Sequence, residues 1–303
     1  MKETYLDGPP ALARVLARGA AGSLRKRPAA GGARLPEPRL VLPAAAVDAA
    51  RLARYAEVCG FPATDPLPVT YPHILGFPLA MRLMAARDFP FPLLGLVHTG
   101  IEVVQQRPLH AEDRPEIRVH TEGAAPHRRG TAFDVVTEAR LAGEEVWRSR
   151  STYLCRHRTE QPPPATEDTV QPEREALPAA ASWDLPGDLG RRYAAASGDR
   201  NPIHLHPLTA RLFGFPRAIA HGMWTFARCL AQAAAEDGRT PERLTATAGF
   251  KAPVLLPGTV SYGRQGEAFE LRGRDADRLH LTGRVASSAS PPSGSASPAS
   301  RSS

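Results

Sequence analysis

The chain has 303 residues, 42% of them hydrophobic, enough for the core of one large domain or two ordinary ones. Its 38 basic and 31 acidic side chains leave a formal charge of +7. The basic residues are nearly all arginine and are spread along the chain, so no nucleic-acid partner is read from them; the excess positive charge favours anionic ligands such as phosphates. No stretch reaches the roughly 18 uninterrupted apolar residues that cross a bilayer, which excludes a membrane partner.

Residues 1–35, rich in Ala, Gly and Arg, read as an N-terminal arm with weak helical spacing at Leu12, Val15 and Leu16. Within it Arg25-Lys26-Arg27 reads as solvated. No apolar signal region is found there, which points to a cytoplasmic protein. Residues 158–182, with Pro162-Pro163-Pro164, read as an extended linker. Residues 287–303 are almost wholly Ser, Ala, Pro and Gly and cannot bury enough apolar surface to offset ordering, so they read as a disordered tail. Cys59, Cys155 and Cys229 lie far apart in apolar surroundings and read as buried free thiols.

Between arm, linker and tail lie two segments that echo each other, residues 36–157 and 183–286. Tyr55-Ala-Glu-Val-Cys-Gly60 mirrors Tyr193-Ala-Ala-Ala-Ser-Gly198, and Gln106-Arg-Pro-Leu109 mirrors Lys251-Ala-Pro-Val254. Each segment carries one long apolar helix and then alternating runs that suit antiparallel strands with one buried face. Met223–Ala235 is the second of these helices, opened by Gly222 and stopped at Asp237-Gly238.

The chemistry concentrates in Tyr193-Ala-Ala-Ala-Ser-Gly-Asp199-Arg-Asn201-Pro202-Ile-His204. Asn-Pro predicts an irregular turn, which folds a carboxylate and an imidazole toward one small volume. A carboxylate and an imidazole around one water can add water to an activated carbon or remove it. Further on, Ala220-His221-Gly222-Met223 opens the apolar helix. Free N–H groups and the positive end of the helix dipole there suit a carbonyl oxygen that gains negative charge.

This string resembles the hydratase motif of the MaoC-like (R)-specific enoyl-thioester hydratases. With the echo between the halves and the Tyr71-Pro-His and Asp88-Phe-Pro-Phe features of the first, the chain is similar to the double-hot-dog 3-hydroxyacyl-thioester dehydratases from about residue 40 to residue 286. The resemblance implies an α+β fold of two tandem hot dogs, each a long central helix wrapped by an antiparallel sheet. It implies reversible hydration of a trans-2-enoyl thioester to the (R)-3-hydroxyacyl thioester in fatty acid metabolism, as a hydro-lyase with no metal or redox cofactor. The implied partner is an acyl-CoA or acyl-carrier-protein thioester, and a homodimer is left open.

By the same resemblance Asp199 and His204 share control of the catalytic water; which takes the proton stays open. Asn201 holds the loop or orients the water, and the Gly222 N–H binds the thioester oxygen. His221 is placed at the helix start, as a structural residue or a substrate contact. His204-x-His206 lacks the further ligands a metal needs. The first segment has Phe61-Pro-Ala-Thr-Asp65 where the motif would stand, so it reads as catalytically silent. In relatives the silent half accommodates the acyl chain, for which Phe77, Met81, Phe89 and Phe91 are the candidates here. His98 is read as a core histidine, with a place facing the site across the seam as the alternative. Two rival functions share the scaffold: an acyl-thioester hydrolase and a non-catalytic acyl-binding module.

Overall fold

The computed structural model describes residues 2–23, 26, 34–158, 175–238, 241–274 and 277–288. In chain order the elements are β1 (Glu3–Tyr5), α1 (Leu12–Ser23), β2 (Arg39–Leu42), α2 (Ala49–Cys59), α3 (Tyr71–Met84), β3 (Leu96–Gln105), β4 (Glu116–His127), β5 (Gly130–Leu141) and β6 (Glu144–Arg156). There follow β7 (Ala179–Leu185), α4 (Leu189–Ser197), α5 (Pro202–Leu205), α6 (Pro207–Leu212), α7 (Gly222–Asp237), β8 (Arg243–Phe250), β9 (Gly258–Gln265), β10 (Ala268–Gly273) and β11 (Leu279–Ser288).

The strands form one eleven-stranded sheet in the order β1-β2-β4-β5-β6-β3-β8-β11-β10-β9-β7. Its middle is an antiparallel seam, with Gly100 opposite Gly249 and Val103 opposite Ala246. Moving outward from that seam, β3, β6, β5, β4, β2 on one side match β8, β11, β10, β9, β7 on the other. The echo in sequence is therefore an approximate two-fold in space. Helix α3 packs against β4 and β5, and α7 against β10 and β11, so each half is a buried helix wrapped by an antiparallel sheet. This is the α+β tandem hot dog architecture.

Local chemistry explains the helices that frame the site. In α2, Asp48 accepts the Arg51 N–H as N-cap, and Gly60 ends the helix at φ 79°. Leu52, Tyr55, Ala56 and Cys59 repeat at helical spacing and are buried. Helix α4 repeats this plan, burying Leu189, Tyr193, Ala194 and Ala196 and ending at Gly198, φ 84°. The two mirrored tyrosines meet: the Tyr55 and Tyr193 rings are 6.0 Å apart. Arg51 of α2 reaches into the other half and donates to the Ala196 carbonyl at 2.6 Å and to that of Ser197. Trp224 Nε1 returns a bond to the Val58 carbonyl at 2.8 Å. The halves are thus joined by backbone pairing and by buried polar contacts.

Several boundaries differ from expectation. Residues 3–5 are no free arm, because β1 pairs in parallel with β2 and α1 packs on α3. Of the Arg25-Lys26-Arg27 cluster, Arg25 and Arg27 lie outside the described residues and Lys26 is half-buried: its ammonium donates to the Ala86 and Phe89 carbonyls at 2.6 and 2.8 Å and lies 5.7 Å from the Phe89 ring. Those carbonyls just beyond the end of α3 give the charge its partners. Strand β7 begins inside the stretch read as linker, and β11 runs to Ser288, into the stretch read as tail. Linker residues 159–174 and tail residues 289–303 lie outside the described residues. The three cysteines are buried and free. Among the described residues, no helix is long and apolar enough to cross a membrane.

Candidate active site

The Asn-Pro pair does not make an irregular turn. Pro202 occupies the first turn of the one-turn helix α5, and Asn201 caps it by accepting the Ile203 N–H at 3.4 Å. Proline's fixed φ suits a first helical turn, which is why the local preference resolves this way. The helical turn swings His204 inward, leaving it 9% exposed. Asp199 lies just ahead of the cap, where its N–H bonds Ser197 Oγ at 3.1 Å and its Oδ1 accepts the Asn201 N–H at 3.1 Å. Its side chain remains 30% exposed, so Oδ2 is the oxygen left to face a ligand.

His204 and His221 are fixed by different ring nitrogens. His204 Nδ1 lies 2.8 Å from the Ile219 carbonyl. A carbonyl only accepts, so Nδ1 carries the proton and Nε2 keeps a free lone pair. His221 Nε2 lies 3.0 Å from the Asp199 carbonyl, so there the ε nitrogen is protonated. Burial pushes both pKa values down; for His221 the neighbouring His204 adds to the effect. Both rings are therefore neutral near pH 7.

Asp199, His204 and His221 offer ligand atoms within 4.8 Å of one another. Two of their ring nitrogens are committed as donors to carbonyls, which leaves lone pairs on Asp199 Oδ2, His204 Nε2 and the buried His221 Nδ1. That is a proton-transfer arrangement. His206 turns elsewhere and accepts the Leu208 N–H at 3.2 Å as the cap of α6.

Helix α7 supplies the electrophilic side. Its first internal bond runs from the Thr225 N–H to the His221 carbonyl at 3.1 Å, so the N–H groups of Gly222, Met223 and Trp224 have no acceptor within the helix. A Cβ on Gly222 would stand 3.2 Å from the Phe250 ring, so glycine lets that ring pack against the helix start.

Sequence reading brought Asp199, Asn201, His204 and Gly222 to this place, and the structure groups them there. His221, considered as a structural residue or a substrate contact, is 2% exposed and lies stacked on His204. Phe77, Met81, Phe89 and Phe91, considered as an acyl pocket, are all core residues. Phe89 and Phe91 pack edge to face at 5.8 Å and both lie against Phe133. Phe77 and Met81 lie on α3 and Phe89 and Phe91 on the segment that follows it, and all four pack into the core of the first half.

One positioning residue escaped the sequence reading. A Cβ on Gly190 would come within 1.9 Å of the His204 carbonyl oxygen, so α4 packs directly on the backbone of the reactive loop. Its only sequence signal is a glycine inside the amphipathic α4 pattern.

The MaoC like domain family matches residues 161–270. Over 279 residues the chain is 37% identical to 3-hydroxyacyl-thioester dehydratase X of Mycobacterium tuberculosis, covering 89% of this chain and 96% of that protein. A crystal structure of HtdX from Mycobacterium tuberculosis superposes with a TM-score of 0.70 at 35% identity, covering 82% of this chain and 98% of the other. A MaoC-like dehydratase from Phytophthora capsici shares the fold at 16% identity, with a TM-score of 0.67 over 84% of this chain and 97% of its own. From its sequence identity, its paired halves and the motif between α4 and α7, this chain belongs to the MaoC-like dehydratase family.

Proposed function

We propose that the protein is a hydro-lyase that interconverts trans-2-enoyl and (R)-3-hydroxyacyl thioesters in fatty acid metabolism. The observation that carries this is the grouping of Asp199, His204 and His221 within 4.8 Å of one another, with His204 Nδ1 committed to a carbonyl, at the start of α7. In hydration a water held by that pair adds its oxygen to C3. One proton of the water passes to the pair, and the pair delivers it to C2, so the pair ends as it began. The charge that builds on the thioester oxygen meets the Gly222 N–H and the positive end of α7, a contribution of about 10²–10³ in rate when one such donor is lost. Dehydration is the reverse. The (R) configuration follows the family; the substrate's CoA or carrier-protein handle, a cytoplasmic location and a homodimer belong to the same proposal.

Purified protein incubated with crotonyl-CoA tests the reading. Loss of enoyl absorbance without release of free thiol is the expected result. Thiol release would make the protein a hydrolase, and neither signal would leave a binding module.

A further inference from the structure

A row of rings crosses the seam between the halves. Phe133 on β5, Tyr153 on β6, His98 on β3 and Phe250 on β8 stand side by side on four adjacent strands. Their successive centroid distances are 5.8, 4.7 and 5.0 Å, and the first two pairs are nearly parallel, at 19° and 14°. The row ends at the reactive helix, because Phe250 is the ring that covers Gly222. Tyr153, His98 and Phe250 are half-buried, unlike Phe89 and Phe91. His98, read as a core residue, therefore lies at the seam, stacked flat on Tyr153 and with its Nε2 buried and unpartnered.

The position of the Tyr153 phenol bears on the reaction. Burial raises its pKa first and the Asp199 carboxylate second, so it keeps its proton and remains a hydrogen-bond donor facing that carboxylate's field. A water held for attack donates its two protons to Asp199 Oδ2 and His204 Nε2 and points one lone pair at C3. Its second lone pair needs a donor, and neither of those two acceptors can supply one.

We infer that Tyr153, from the half that lacks the motif, is a catalytic residue whose hydroxyl donates a hydrogen bond to the attacking water, or to the departing C3 hydroxyl. His98 positions the phenol by stacking. No proton leaves Tyr153: the O–C3 bond forms or breaks, the proton exchanges with the Asp199–His204 pair, and Tyr153 stabilises the oxygen as its charge changes. The inference rests on the proposed hydration chemistry.

The test is Tyr153→Phe in the full chain, which keeps the ring and its stack and removes only the hydroxyl. With crotonyl-CoA, kcat is expected to fall about 10- to 100-fold, the scale of one hydrogen bond to a charged group. KM should stay within about twofold and Tm should not change. An unchanged kcat overturns the inference, as does a kcat loss that tracks a lower Tm. A rise in KM confined to longer acyl chains at constant kcat also overturns it, making Tyr153 a chain-contacting wall. Absence of hydratase activity in the unaltered protein would instead overturn the proposed function.

Discussion

His204 and His221 lie ring on ring, with centroids 3.7 Å apart and planes 27° apart, and each is tied to a different main-chain carbonyl. The stack fixes the direction of His204 Nε2, the ring nitrogen that does not bond the Ile219 carbonyl. His221 also holds the backbone of Asp199, so a single buried ring aligns both halves of the acid–base pair.

Asp199→Asn and His204→Gln are each expected to lower kcat by about 10²–10⁴. Together they should cost little more than the worse single change, because both act on one water. His204→Ala is a poorer probe. It empties a buried ring position against His221 and should also lower stability by about 1–3 kcal/mol. Steady-state kinetics beside thermal melts check this; a near-normal kcat in either conservative variant contradicts the assignment.

His221→Phe keeps the stacked ring and removes the bond to the Asp199 carbonyl. We expect kcat to fall by about tenfold or more while KM holds, since the residue lies behind the reacting groups. A selective rise in KM would show that it touches substrate after all.

Gly190→Ala places a methyl 1.9 Å from the His204 carbonyl oxygen. The loop or α4 must move, at a cost of about 1–3 kcal/mol in stability and a larger proportional loss of turnover. A variant with normal Tm and normal kcat would mean that the two backbones are not in contact.

Acid should destabilise the protein through its buried imidazoles. Burial holds His73 at about 4 against an ordinary 6.5, so the folded ring is neutral where the unfolded one is charged. The unfolded state then binds more protons, and stability falls as pH drops below about 6.5. For His73 alone this amounts to ~2 kcal/mol at pH 5. His98, held at about 3, acts in the same direction. Melting curves should show Tm falling between pH 7 and pH 5, and His73→Asn should flatten that slope. A Tm that is constant down to pH 5 would contradict the neutral, buried assignment.

The second half alone, residues 175–288, contains Asp199, His204 and Gly222, yet we expect it to aggregate or to self-associate without normal turnover. Removing the first half strips β3 from β8 and leaves a long unpaired edge. It also removes Arg51 from the end of α4. A monomeric fragment with full activity, measured by light scattering and the crotonyl-CoA assay, would rule out a site that depends on both halves.

Short-range pattern by itself determined a good deal of this protein. The spacing of Asp199, Asn201 and His204, the Gly222 helix start and the Gly238 stop are all local signals, and local backbone preferences decide them. The repetition of Tyr55-Ala and Tyr193-Ala announced two related halves for the same reason. Other features depend on partners far away in the chain, and only the tertiary structure decided those. Phe89 and Phe91 became core because Phe133 stands against them. Lys26 became half-buried because the end of α3 offers it two carbonyls. Gly190 matters because His204 folds back onto it, and His98 meets Phe250 across the seam because β3 pairs with β8. Periodicity tells which side of a strand is apolar; it does not tell which strand will lie beside it, and that pairing decides what each buried side chain touches.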